Sequence, residues 1–202
     1  MSFFQMQLDK KPKCIIVAGR PGSGKNTLAA KLAKALWMPL VSRDEIKEGY
    51  VNTFGVRHDE LGPDANARAT DLFFEIVNHY LEAQISIVIE AAFQHAVWEY
   101  RIPAIAKLAS PFIVLSSIDE SIAARRYLER GLADANREFY HGDNMVVHYR
   151  NTGEILPHAD WTPPNFDLPT IKVSTDGEYV PSIDEIVRRI RTSEATQDGG
   201  SR

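Results

Sequence analysis

The sequence predicts an α/β fold: a parallel five-stranded sheet with helices on both faces. Two observations carry this. Short apolar runs alternate with helical stretches about five times along the chain, as in consecutive β–α–β units. The first run, Cys14–Ala18, leads into the stretch GRPGSGKNT (Gly19 to Thr27) and then into a helical pattern, the strand–glycine loop–helix context of a phosphate-binding loop. In such sheets ligands bind at the carboxyl ends of the strands, so side chains there are the first candidates for a site.

Taken in order, residues 1–12 read as a loose leader. Cys14–Ala18, apolar throughout after a proline, reads as a buried strand. Leu28, Leu32, Ala35 and Leu36 recur at helical spacing from Lys25 onward, and Trp37-Met38-Pro39 ends that helix. Leu40-Val41 is a short second strand. Ser42, with Glu45 three residues on, reads as a capping box opening the next helix. Residues 52–65, with two glycines and a proline, read as a loop. Residues 67–84 carry Leu72, Phe73, Ile76, Val77, Tyr80 and Leu81, an amphipathic helix. The β-branched run ISIVI, Ile85–Ile89, is a central strand. A helix near 96–109, a strand at 112–115 and a helix at 119–130 follow. Gly131 is a natural helix stop or hinge. Residues 131–168 show little periodicity and read as a lid and acceptor region with some helix inside. A last strand (170–173) and a last helix (182–191) close a single domain over 1–192. The polar tail 193–202 is expected to be disordered.

The composition bounds the function. The chain has 202 residues, 44% hydrophobic and 25% charged, enough for a real core. A net charge of −4 disfavours a duplex-binding protein, since phosphate backbones select basic surfaces. The single cysteine, Cys14, lies in an apolar run and reads as a buried thiol. No run is long enough for a signal peptide or a membrane span, so the expected location is the cytoplasm, with no membrane partner.

The phosphate loop supplies the first candidates. Its glycines Gly19, Gly22 and Gly24, with Arg20, Pro21 and Ser23, turn backbone N–H groups inward, and Lys25 reaches the β- and γ-phosphates. The alternative is a glycine-rich turn with an exposed lysine. Asn26 stands where a metal-binding hydroxyl is usual. Its amide oxygen can face a hard cation directly or through water, and Thr27 offers a hydroxyl one step further round the helix.

Asp44, after the second strand, faces the loop and can accept a proton from an attacking hydroxyl; it can equally be a first-turn aspartate stabilising its helix. Arg43 beside it is a substrate anchor or a surface charge. Glu90, at the end of ISIVI, reads as an outer-shell magnesium or substrate contact, with a surface glutamate as the alternative. Phe93 lines an acceptor pocket or belongs to the core. Arg126 and Arg130 lie four apart on one helical face and, with Arg137 beyond, can bring positive charge onto a transferring phosphate; solvated helix arginines are the alternative. The histidines show no metal-ligand spacing, and Tyr140-His141 is a weaker acceptor candidate.

Four segments together, GRPGSGKNT, SRDEI, IVIEAAF and RRYLERG, resemble the small phosphate-loop kinases of the group that takes in AAA_33, the polynucleotide 5′-hydroxyl kinase domain, zeta toxins and chloramphenicol phosphotransferase. The resemblance covers roughly residues 14–131. It implies an adenylate-kinase-like core, ATP and Mg²⁺ as cofactors, Asp44 as general base, and Arg126 or Arg130 as stabiliser of the phosphoryl group. Asn26 and Glu90, the latter where an aspartate is usual, are the expected metal contacts, acting through water. The lid matches no member. The function expected is therefore an ATP-dependent kinase transferring the γ-phosphoryl group to a hydroxyl of a small-molecule acceptor. A polynucleotide 5′-hydroxyl kinase, requiring a basic channel near Arg43 and Arg57, and an ATP-binding regulatory protein with little turnover are the alternatives.

Overall fold

Five parallel strands form one sheet in the order β2-β3-β1-β4-β5 in a computed structural model that describes residues 10–142, 144–156 and 160–193. The strands are β1 (Lys13–Ala18), β2 (Leu40–Ser42), β3 (Ile87–Ala91), β4 (Ser110–Ser117) and β5 (Thr170–Ser174). The helices are α1 (Lys25–Leu36), α2 (Arg43–Phe54), α3 (Ala65–Glu82), α4 (His95–Leu108), α5 (Glu120–Ala133), α6 (Asn136–His141), α7 (Asn144–Thr152) and α8 (Ile183–Thr192).

The alternation of side chains along β1 divides the core. Cys14 and Ile16 face one side, with Ile87, Ile89 and the α3–α4 residues Phe73, Phe74, Val77 and Trp98. Ile15 and Val17 face the other, with Val88, Val114, Val173 and residues of α1 and α8. Burial on both faces explains why the central strands are apolar at every position rather than at alternate ones. Cys14 is fully buried, which pushes its thiol pKa up and keeps it in the unreactive form.

Four local expectations change. The Ser42 hydroxyl caps nothing: Ser42 occupies the N-cap position of α2, but its Oγ donates to Glu90 Oε2 at 2.8 Å. The parallel register sets Ser42 beside Glu90, and a bond to a carboxylate is stronger than one to a neutral partner. Strand β3 begins two residues later than the β-branched run suggests, because Ile85 is 41% exposed beside the left-handed Gln84. Glu90 thus lies inside the strand rather than at its end. Gly131 does not stop α5; it is buried within the helix, which runs to Ala133 and packs on α7 through Ala124, Leu128, Met145 and Val146. The loop expected at 52–65 is shorter, since α2 continues to Phe54 and ends at Gly55 with φ 66°. The expected leader falls mostly, and the expected tail almost wholly, outside the described residues. No helix among the described residues is long and apolar enough to cross a membrane.

Candidate active site

The glycine loop joins β1 to α1 at the centre of the sheet and is braced from two neighbouring strands. Ser23 Oγ and Ser116 Oγ lie 2.6 Å apart, Ser116 Oγ donates to the Ala18 carbonyl, and Thr175 Oγ1 donates to the Ser23 carbonyl at 2.6 Å. Gly22 and Gly24 have φ of 78° and 77°, the left-handed region that side chains rarely adopt. A Cβ on Gly22 would stand 2.0 Å from the Ala123 carbonyl oxygen of α5, so the loop needs glycine here for space as well as for backbone angle. Arg20 is held to Glu120 at 2.7 Å, a second tie between loop and α5. Thr27 is solvent-exposed on α1, and Pro21 is half-buried on the loop.

Lys25 is 4% exposed, and its ammonium lies 3.4 Å from Glu90 Oε1 and 3.3 Å from Asn26 Oδ1. Register explains the pairing: Glu90 lies opposite Val17 on β1 and opposite Ser42 on β2, directly under the loop. Burial pushes the Glu90 carboxyl pKa up, Lys25 opposes that, and Asp44 adds to it, for a net rise. Glu90 Oε1 is buried with no hydrogen-bond partner, although it is an ion-pair neighbour of Lys25. Glu90 Oε1 and Asn26 Oδ1 both lie near the Lys25 ammonium, and oxygens of these two kinds are the hard donors that a divalent cation takes. Among the described residues no cluster of three or more histidine, cysteine or acidic side chains could hold a metal by itself. Any cation at Asn26 and Glu90 would therefore draw most of its ligands from phosphate oxygens and water. Glu90 touches Lys25 and Ser42 and does not line the pocket described next.

Asp44, in the first turn of α2, is the hub of the site. Burial works against its charge, but Lys25, His141, Arg43 and Arg130 outweigh burial, and its carboxyl is held below the usual range. The side chain is still 34% exposed, so it can be reached. Arg43 is held by Asn66, through its carbonyl (3.3 Å) and its side-chain oxygen (3.2 Å), with Asp44 at 3.6 Å. Asp44 and Arg43 line a cavity of about 560 Å³ between α2, α3 and α4, with Phe93 in its wall. The position of Phe93 joins the two sequence readings, since it lines the cavity and also packs on Phe73, Phe74 and Trp98.

The two lid arginines part company. Arg130 is among the cations acting on Asp44. Arg126 instead donates to the Thr175 carbonyl at 3.0 Å and lies 3.6 Å from Asp176, on the loop after β5. Arg137 lies with Arg130 against the Tyr127 ring, 5.9 and 5.6 Å from its centre. His141 reaches across from α6 to Glu48 of α2 at 2.8 Å.

Sequence reasoning missed Lys47, one turn beyond Arg43 and Asp44. It is 4% exposed, and burial followed by Arg43, against a smaller opposing effect of Asp44, brings its pKa down to about 8. The spacing i+3 and i+4 from Asp44 and Arg43 was the available signal. Asn66, Thr70, Asp71, Tyr100 and Arg101, which also line the cavity, were missed because they come from helices whose exposed positions looked like ordinary solvent faces.

The family model AAA_33, an AAA domain, matches residues 14–145, from β1 through the loop, Asp44, Glu90 and Arg130 into α7. The chain belongs to the AAA_33 family. No curated protein matches the sequence. Among solved structures, a candidate kinase from Chloroflexus aurantiacus j-10-fl is 22% identical, covers 91% of this chain and 98% of its own, and has a TM-score of 0.73. A gluconokinase from Sinorhizobium meliloti 1021 is 16% identical over 95% of this chain and 99% of its own, with a TM-score of 0.52. The APS kinase CysC of Mycobacterium tuberculosis, in complex with AMPPNP and APS, is 16% identical over 90% and 96%, with a TM-score of 0.55. At these identities the likeness shows the fold, that of adenylate-kinase-like phosphate-loop proteins, and this AAA_33 member has its strand order.

Proposed function

We propose that this AAA_33 protein is an ATP-dependent kinase that transfers the γ-phosphoryl group to a hydroxyl of a small-molecule acceptor. The observation that carries the reading is the position of Asp44: it lies within the field of the phosphate-loop Lys25 and of Arg130, and it also lines the cavity. One carboxylate thus faces both the place where a triphosphate ends and the place where an acceptor fits.

In this reading the loop amides and Lys25 hold the β- and γ-phosphates, and Arg130 adds positive charge against the negative charge spread over the phosphoryl oxygens. The acceptor hydroxyl lies at Asp44, which orients it and takes its proton. The hydroxyl oxygen bonds to the γ-phosphorus while the bond to the β,γ-bridging oxygen breaks, and ADP leaves. Asn26 and Glu90, through water, would hold Mg²⁺, which would supply charge neutralisation to the triphosphate. Arg126 braces the loop after β5, where it is engaged with Thr175 and Asp176.

The polynucleotide alternative loses support from Arg57, which is turned to Asp59 and Glu138 at 3.2 and 3.7 Å rather than toward a channel. Radiolabelled ATP tested across sugars, nucleosides, antibiotics and 5′-hydroxyl oligonucleotides discriminates the readings. Label moving to a small alcohol supports the proposal; label moving only to oligonucleotides, or only acceptor-independent hydrolysis, contradicts it.

A further inference from the structure

We infer that the acceptor is a neutral, ring-shaped polyol, the sugar of a carbohydrate or of a nucleoside. This rests on the kinase reading above and concerns the cavity beside Asp44.

The cavity, about 560 Å³, is within the range of roughly 300–1,000 Å³ usual for small-ligand sites. Its charges already cancel. It is lined by two guanidinium groups and two carboxylates, and each cation stands against an acid of the same cavity: Arg101 at 2.5 Å from Asp71, Arg43 at 3.6 Å from Asp44. An acceptor carrying a carboxylate or phosphate would find both guanidinium groups already set against acids and would itself be placed beside Asp44 and Asp71, where like charges repel; the buried Arg43 Nε, which has no partner among the described residues, suits a single hydroxyl oxygen. The other basic side chains around Asp44, namely Lys25, Lys47, Arg130 and His141, do not line this cavity.

The walls select further. Phe93 is fixed against Phe73, Phe74 and Trp98, and with Ala92 and Val97 it makes an apolar floor, with the exposed Ala67 at the edge. The Tyr100 ring stands at the mouth, 78% exposed, with the Arg101 guanidinium 5.2 Å from its centre and 4.7 Å from that of Phe74. Asn66, Thr70, Asp71 and Arg43 supply donors and acceptors of both kinds around this floor. A purely apolar alcohol would strip water from those groups without replacing it, at a cost for each one. A sugar ring has what the cavity asks for: an apolar C–H face for the aromatic rings, a rim of hydroxyls for the amide, the hydroxyl and the carboxylates, and no net charge.

The test uses the full chain with MgATP and a panel of neutral monosaccharides and nucleosides, each paired with a charged counterpart that keeps every hydroxyl, such as D-xylose with D-glucuronate and uridine with orotidine. Acceptor-dependent ADP release and transfer of label are measured, with ATP binding followed separately by calorimetry. At least one neutral member is expected to be phosphorylated with kcat/KM about tenfold or more above its charged partner. For that acceptor, Tyr100→Ala and Asp71→Asn are expected to raise KM about fivefold or more, with the change in kcat smaller than that in KM. The nucleoside and free-sugar arms separate the two sources. Preference for charged partners, transfer only to alcohols without a sugar ring, or ATP binding with no sugar or nucleoside accepted each overturns the inference and leaves the phosphate loop reading standing. No ATP binding at all overturns the kinase reading beneath it.

Discussion

Lys25 Nζ stands 3.4 Å from Glu90 Oε1, both side chains almost wholly buried, and the other oxygen of Glu90 takes the hydroxyl of Ser42. Strands β2 and β3 and the first residue of α1 thus meet in one polar chain beneath the phosphate loop. Removing one partner of a buried pair leaves a charge uncompensated. Lys25→Met is expected to cost about 3–5 kcal/mol of stability, partly relieved as Glu90 takes up a proton. Ser42→Ala is expected to cost about 1–3 kcal/mol. Urea unfolding of the two variants checks the order, and equal or negligible losses would contradict the account of the pair.

Gly22 is confined by both space and angle. Gly22→Ala puts a methyl against the Ala123 carbonyl and holds alanine at a φ of 78°. The expected cost is about 1–3 kcal/mol of backbone strain. The expected effect on ATP affinity is a loss of about tenfold or more, because the loop and the first turn of α5 must separate. Calorimetric ATP titration measures it; unchanged affinity would mean the loop tolerates the shift.

The two lid arginines are separable by kinetics. Arg130→Ala is expected to lower kcat about 10²–10³-fold at saturating ATP, as loss of a group that stabilises developing charge does. Arg126→Ala is expected to act mainly on KM for ATP, since its guanidinium is engaged on the loop after β5. Steady-state rates with the best acceptor from the transfer screen decide this, and the reverse pattern would exchange the two roles.

The strand–loop–helix unit and the alternation of strands and helices were legible because apolar period and glycine spacing are local properties. Asp44 could be named as a candidate for the same reason: it follows a short strand at a carboxyl end. Its surroundings could not be read. The bond from Ser42 to Glu90 depends on register between strands 48 residues apart, which local spacing does not encode. Ser42 and Glu45 fit a capping pattern, and tertiary pairing overrode it. Arg126 and Arg130 share a face in the sequence, yet the turn of helix between them is enough to send one to β5 and the other toward Asp44. The cavity is made by three helices whose mutual approach is set by the core, so Asp71, Tyr100 and Arg101 looked like surface residues until they were brought together.

Lys47 gives a pH signature with a fixed sign. Its pKa in the fold is about 8, against 10.5 for an ordinary lysine. Below pH 8 both folded and unfolded chains carry the proton. Between about 8 and about 10.5 the unfolded chain holds a proton that the fold has released, so Lys47 makes stability rise with pH across that window. The buried thiol of Cys14, held protonated in the fold, acts in the opposite sense at high pH. The quantity to measure is therefore the difference between wild type and Lys47→Met in urea unfolding from pH 7 to 10.5. The wild type is expected to gain on the variant as pH rises; parallel curves would contradict the burial of a cation at this position.

The central claim is that Asp44 serves the acceptor hydroxyl while the loop holds ATP independently of it. The most direct measurement is label transfer from ATP by Asp44→Asn, with ATP affinity determined on the same preparation. The account predicts transfer reduced about 10²–10⁴-fold with ATP affinity near that of the wild type. Transfer at the wild-type rate, or loss of ATP binding in step with loss of transfer, would contradict it.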